Sequence, residues 1–207
     1  MSKDIEFVVK SIADTALKNE AYFSELDAVC GDGDFGYSLA RGFEKVLEHW
    51  DEIDRTNPGT FLKEIAKIIM GAVGGVSGTI WGTTFLRAGM SLGTKEAVGR
   101  EDVVPMLRAV IEGIKKRGNC DLGDKTYIDT LIPTTDAIET AINEGKSDLE
   151  ILDIATQVSA DAAEATRPML AKRGRASYTG ERSIGTLDAG SVAVATMIKA
   201  LSEAWRA

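Results

Sequence analysis

Apolar residues recur at intervals of three and four along almost the whole chain, and no stretch alternates convincingly with a period of two. That spacing puts them on one face of an α-helix, where a strand would need every second residue. Ile5, Val8, Val9, Ile12, Ala13, Ala16 and Leu17 predict a first helix. A second runs from about Tyr37 to His49, with Leu39, Phe43, Val46 and Leu47 inward. Asn57-Pro58 opens a third, which buries Phe61, Leu62, Ile65, Ile68 and Ile69 and breaks over Gly71 to Gly78. A fourth carries Phe85, Leu86 and Met90, and a fifth runs from near Glu101 to Lys115-Lys116-Arg117, cations that suit a last helical turn. The sixth covers Tyr127 to Asn143, with Pro133 tolerated if it lies in the first turn. Ser147-Asp148-Leu149-Glu150 is a capping box for a seventh, reaching about Ala171 with a bend at Arg167-Pro168, and Gly190 to Trp205 is the eighth. Connections this short join antiparallel neighbours. The expected fold is all-α: an eight-helix antiparallel up-and-down barrel or bundle, residues 1-207 forming one domain. A ring of eight helices leaves an axial cavity, and its mouth at one end is a natural ligand site.

One junction carries the strongest chemical signal. Residues 27 to 36 read Asp27-Ala28-Val29-Cys30-Gly31-Asp32-Gly33-Asp34-Phe35-Gly36, three carboxylates within eight residues interrupted by glycines. Asp disfavours helix interiors and Gly opens positive φ, so the segment is a tight loop that turns its acids toward one point. A hard divalent cation relieves their repulsion, and Mg²⁺ fits because it takes few carboxylates and leaves positions for phosphate oxygens. Alone, the pattern reads equally well as a solvated acidic turn.

Other chemistries are poorly supplied. The one histidine, His49, sits at the polar end of a helix, which reads as a surface residue and argues against histidine general-base catalysis and multi-ligand zinc sites. Cys30 and Cys120 are too few for a disulfide scaffold and read as buried or half-buried thiols of a cytoplasmic protein. The net charge of −8 argues against nucleic-acid binding. No apolar run approaches the roughly 18 residues of a membrane span, and Met1-Ser2-Lys3-Asp4 is followed by no secretory signal.

Two more junctions favour phosphate. Gly71 to Gly82 holds five glycines in twelve residues. Ser77 is expected to cap the helix that follows, leaving amides free to meet an anion. Close helix packing through small residues is the plainer reading. Lys172 to Asp188 is the longest candidate loop and carries Lys172, Arg173, Arg175 and Arg182 in an acidic protein. Arginine matches phosphate oxygens bidentately, so the loop reads as a lid over a polyphosphate, or as a basic turn neutralising nearby acids. Asp188 reads first as a helix cap. Clustered acids, glycine amides and an arginine, with no evident nucleophile or base, suit phosphoryl transfer.

Together these segments resemble the nucleotide-binding L subunit of dihydroxyacetone kinases. The likeness is carried by Leu26-Asp27, Gly31-Asp32-Gly33-Asp34, Gly74-Gly75 with Ser77-Gly78, Gly123-Asp124-Lys125-Thr126, and Gly174-Arg175-Ala176-Ser177-Tyr178 through Gly180-Glu181-Arg182-Ser183-Ile184-Gly185. It implies an eight-helix barrel with nucleotide (ADP or ATP) and magnesium, two ions, at one end. It implies Asp27, Asp32 and Asp34 as metal ligands. Phe35, Gly36, Tyr37 and Ser38 would lie near the phosphates, with Val76 and Ser77 at the next helix start. Gly118 and Tyr127 would frame the adenine, and Arg175, as the catalytic residue, would close the site with Asp188, Ala189 and Gly190; Thr79 and Thr83 rank below these. The family has His at the position of Phe35 and Asp-Pro-Gly where this chain has Asp188-Ala189-Gly190.

In one branch of that family the domain is fused to a substrate domain that holds the ketone on a histidine. In the other it is a separate subunit whose ADP stays bound and is rephosphorylated in place. The resemblance favours the second form: a subunit that passes phosphate to dihydroxyacetone or a related short ketose on a separate K-type subunit. The donor would be a phosphohistidine protein of the phosphotransferase system; a homodimer is left open. An ATP-dependent ketose kinase subunit, a non-catalytic nucleotide-binding regulator and a helical scaffold remain as alternatives.

Overall fold

The computed structural model describes residues 4–207, so the Met1-Ser2-Lys3 start lies outside the described residues. Among the described residues nine α-helices follow in chain order: α1 (Ile5–Lys18), α2 (Glu20–Ala28), α3 (Phe35–Glu48), α4 (Pro58–Ala72), α5 (Gly75–Leu92), α6 (Arg100–Gly118), α7 (Ile128–Asn143), α8 (Asp148–Glu164) and α9 (Ala189–Arg206). Two 3₁₀ segments, Trp50–Glu52 and Arg175–Ser183, complete the elements, and no strand occurs among the described residues. The all-helical expectation holds, but the count of eight does not, because α2 was not foreseen. It follows α1 with only Asn19 between them and buries one large side chain, Phe23, so it leaves no long apolar stripe.

Each helix starts where local chemistry lets it. Asp4 accepts from the N–H groups of Glu6 and Phe7 at the head of α1. Asn57 caps α4 through Thr60 N–H at 2.8 Å, with Pro58 at the first position, where its missing donor costs nothing. Ser147 and Glu150 exchange the reciprocal bonds of a capping box at α8. Three boundaries differ from expectation. The break between α4 and α5 is only Val73-Gly74, and Gly71 stays helical. α8 stops at Glu164, well before Ala171; Pro168, four residues on, has no N–H to give the Glu164 carbonyl. Pro133 is the sixth residue of α7 and so lies in its second turn.

Packing follows the chain. α1 lies against α3 and α9; α3 against α4, α4 against α5, and so on to α8 against α9, so the succession of neighbours closes on itself. α2 rests on α3 and α9. A shared core runs through Val9, Phe23, Phe43, Phe61, Ile65, Ile69, Ile114, Ile128 and Met197.

The α2–α3 crossing sets up the acidic loop. A Cβ on Gly36 would stand 2.0 Å from the Glu20 carbonyl oxygen and 2.6 Å from Ser24 N, so only glycine lets the backbones approach this closely. Gly36→Ala is expected to lower unfolding stability by about 2 kcal/mol or more, measured by urea denaturation, because the helices must separate to admit the methyl group.

Candidate functional site

The acidic loop spans the six residues from Val29 to Asp34, between the last turn of α2 and the first of α3. Gly33 has φ +75°, a conformation open to glycine, and this reversal folds the loop back on α2. Asp27 accepts from Gly33 N–H at 2.9 Å and more weakly from Phe35 N–H at 3.4 Å. Asp34 precedes α3 but does not cap it, so its carboxylate points elsewhere. The result is a cluster in which Asp27, Asp32 and Asp34 each offer an oxygen within 4.8 Å of the others. Burial and, second, the Asp27 charge push the Asp34 pKa up. An all-oxygen, all-carboxylate donor set half open to solvent fits a hard divalent cation such as Mg²⁺ and suits zinc or copper poorly.

Arg175 reaches this cluster from 141 residues away, pairing with Asp34 at 2.9 Å and also with Asp32. It stands at the head of the 3₁₀ segment Arg175–Ser183, between α8 and α9. That segment is not a free lid at its base. Lys125 is buried and donates to the carbonyls of Met169, Ser183 and Thr186, while Asp124 pairs with Arg173 at 3.0 Å and Lys172 at 3.5 Å. Burial draws the Lys125 pKa below the usual lysine range.

These groups open onto a cavity of about 560 Å³, within the size range of nucleotide pockets. The acidic loop, the heads of α3, α5 and α9, the tail of α6 and the turn before α7 line it, so it lies where those helix ends meet. The three acids, Phe35, Ser38, Val76, Ser77, Gly118, Tyr127, Arg175, Asp188, Ala189 and Gly190 all line it, and so does Thr79. Gly36, Tyr37 and Thr83 do not: Gly36 is committed to the α2–α3 contact and Tyr37 turns to solvent, its N–H donating to Ser24 Oγ. Ser77 does not cap α5 either. The helix begins two residues earlier behind Gly74, which has no side chain, so its first-turn N–H groups meet the cavity without a side-chain cap.

Tyr127 stacks on Trp81 with ring centroids 5.6 Å apart and planes 7° from parallel, and its hydroxyl bonds Thr84 Oγ1 at 2.7 Å. With Ile80 and Ile114 the pair gives the cavity a flat apolar wall. Trp81, Asp124 and Lys125 have no assigned role in the sequence reading. A tryptophan inside a glycine-rich run was a usable signal for the first; the other two act on residues more than forty positions away. Both cysteines line the cavity, Cys120 buried and Cys30 half-buried, and His49 is exposed against Glu52.

Grouped acids, an arginine, an uncapped helix head and an aromatic wall meet in this cavity, a combination suited to a nucleotide and its phosphates, and the chain's relatives are kinases. The chain belongs to the DAK2 domain family, whose model matches residues 29–203. It is 35% identical over 181 residues to the PEP-dependent dihydroxyacetone kinase ADP-binding subunit DhaL of Escherichia coli, covering 87% of this chain and 86% of that subunit. The PTS-dependent counterpart of Lactococcus lactis is 34% identical, over 90% of this chain and 88% of its own. Among solved structures, the dihydroxyacetone kinase of C. freundii in complex with AMP-PNP and Mg²⁺ superposes with a TM-score of 0.73 at 27% identity, over 95% of this chain. This chain spans 33% of that kinase. Its relatives are kinase subunits, which makes it a phosphotransferase of that class.

Asp188 caps α9 through Ser191 N–H at 2.7 Å, and burial pushes its pKa up to about 6 from 3.8. The folded state therefore holds a proton that the unfolded state has released between those values, and stability falls as pH rises through the window. Asp188→Asn is expected to melt higher than the parent at pH 8, by the equivalent of about 1–2 kcal/mol, with the gap closing toward pH 4. Thermal melts across that range check it.

Proposed function

We propose that this chain is the ADP-binding subunit of a dihydroxyacetone kinase, passing a phosphoryl group to dihydroxyacetone or a related short ketose held on a separate K-type subunit. The phosphoryl donor in this reading is a phosphohistidine protein of the phosphotransferase system, which recharges the bound nucleotide in place. The observation that carries the reading is the meeting of Asp27, Asp32 and Asp34 with Arg175 at the edge of a nucleotide-sized cavity. Its support from relatives is the identity of 34–35% to ADP-binding subunits matched over 81 to 88% of their own length.

The three aspartates are the residues that would hold magnesium, two ions in the full site, and the metal would neutralise charge on the nucleotide's phosphate oxygens. The uncapped first turn of α5, with Val76 and Ser77, offers N–H groups to the same phosphates. The Trp81–Tyr127 wall and Gly118 take the adenine, giving it a flat apolar face. Arg175 carries a fork of donors to the phosphoryl group as charge spreads over its equatorial oxygens. No side chain in the cavity is needed as a nucleophile, since the attacking oxygen belongs to the ketose.

Asp32→Asn tests the site. It is expected to keep its helical spectrum and to lose Mg-dependent ADP retention. The parent, at ADP near 100 times its Kd, gains about 2.7 kcal/mol of stability from the ligand. Undiminished ADP binding in that variant would refute the metal assignment. Mixing the parent with a K-type subunit, dihydroxyacetone and each donor in turn tests the reaction. Product with the phosphoprotein donor supports the proposal; product only with excess ATP supports an ATP-dependent kinase, and none with any donor a regulatory module. In the productive mixture Arg175→Ala is expected to lower the rate about 10²–10³-fold.

A further inference from the structure

Between α8 and α9 the chain has only turns and the 3₁₀ segment, yet it places Arg175 beside two aspartates. Its backbone is tied from outside, and the ties come from two adjacent residues in the turn before α7. Asp124 receives the Lys172 N–H on its carbonyl at 3.1 Å and the Arg173 guanidinium on its carboxylate at 3.0 Å, on the near side of Arg175. Lys125, 4% exposed, donates to Met169 O at 3.2 Å, to Ser183 O, to Thr186 O at 2.8 Å and to Thr186 Oγ1 at 3.2 Å. These acceptors flank the segment on both sides of Arg175.

An ammonium has three N–H donors, and four protein acceptors surround this one. Although Lys125 lines the cavity, it has no donor left for a phosphate. Its backbone is left-handed, φ +59°, a conformation costly for a residue with a Cβ and kept only where the surroundings hold it. The ties continue past it. Thr186 Oγ1 lies 3.5 Å from Cys30 Sγ, and Cys30 Sγ lies 3.5 Å from the Arg182 carbonyl. Cys30 belongs to the acidic loop, so one connected set of contacts joins the Arg175 segment to the aspartates.

We propose that Asp124 and Lys125 form a clamp that sets Arg175 over the acidic loop, with Lys125 a positioning residue for phosphoryl transfer and not a nucleotide contact. The catalytic consequence rests on the function proposed above; the clamp itself does not.

Lys125→Met keeps the stem and removes the ammonium. Amide hydrogen exchange over residues 170–187 is expected to quicken about tenfold or more, with α1 and α4 unchanged. In the reconstituted reaction kcat is expected to fall about tenfold while the Kd for Mg-ADP stays within about twofold, and in an Arg175→Ala background Lys125→Met is expected to cost nothing further. Unchanged exchange overturns the clamp. An equal loss of kcat in both backgrounds, or a Kd weakened as much as kcat, overturns the positioning role. If Lys125→Met does not fold, Thr186→Val, which removes only the bridging hydroxyl, is put through the same measurements with smaller effects expected. Failure of the parent to bind Mg-ADP would overturn the proposed function, and the exchange data would still decide the clamp.

Discussion

Carboxylates crowded within 4.8 Å of one another repel, and at neutral pH they stay ionised together only beside compensating positive charge. Much of the local architecture answers to that constraint. Asp27 is secured by backbone N–H groups of its own loop, which offsets part of its charge. Asp32 and Asp34 remain exposed enough to share their charge with water, and Arg175 comes from a distant segment to meet them. The close α2–α3 crossing at Gly36 holds the two helices that bracket the loop together. A fold that concentrates negative charge in this way, and then brings an arginine to it from a distant segment, has the chemistry that the proposed metal and phosphates call for.

The rest of the cavity divides the work by chemistry. The α5 head, with no side-chain cap on its N–H groups, suits an anion, and the flat Trp81–Tyr127 wall suits a base. The Phe35 ring packs near Phe23 at 6.2 Å between centroids, so at the start of α3 the chain spends the position on anchoring α2. Ala189 sits buried in the first turn of α9 behind the Asp188 cap.

Much of this was legible in the chain because long amphipathic helices write their period plainly. The stripes through Phe61, Leu62, Ile65 and Ile69, and the Ser147–Glu150 box, marked their helices without ambiguity. α2 was hidden because a nine-residue helix with one buried large residue writes almost no period. Glycine is ambiguous in sequence. Gly71 reads as a break and stays helical, whereas Gly36, expected near the phosphates, also serves the contact between α2 and α3. The aspartates were visible as a cluster because they are close in sequence. The parts that depend on tertiary meeting, Lys125 on the far carbonyls and Trp81 on Tyr127, were not, since no local pattern encodes a partner more than forty residues away.

In the proposed function, Asp27, Asp32 and Asp34 cradle a metal that meets a nucleotide's phosphates. A crystal of this protein grown with ADP and Mn²⁺, measured at the manganese absorption edge, tests it most directly. Anomalous density is expected between these three side chains and the terminal phosphate of ADP, with Arg175 turned toward the phosphate. Nucleotide bound in the cavity with no anomalous density at the aspartates, or manganese bound elsewhere, would contradict it.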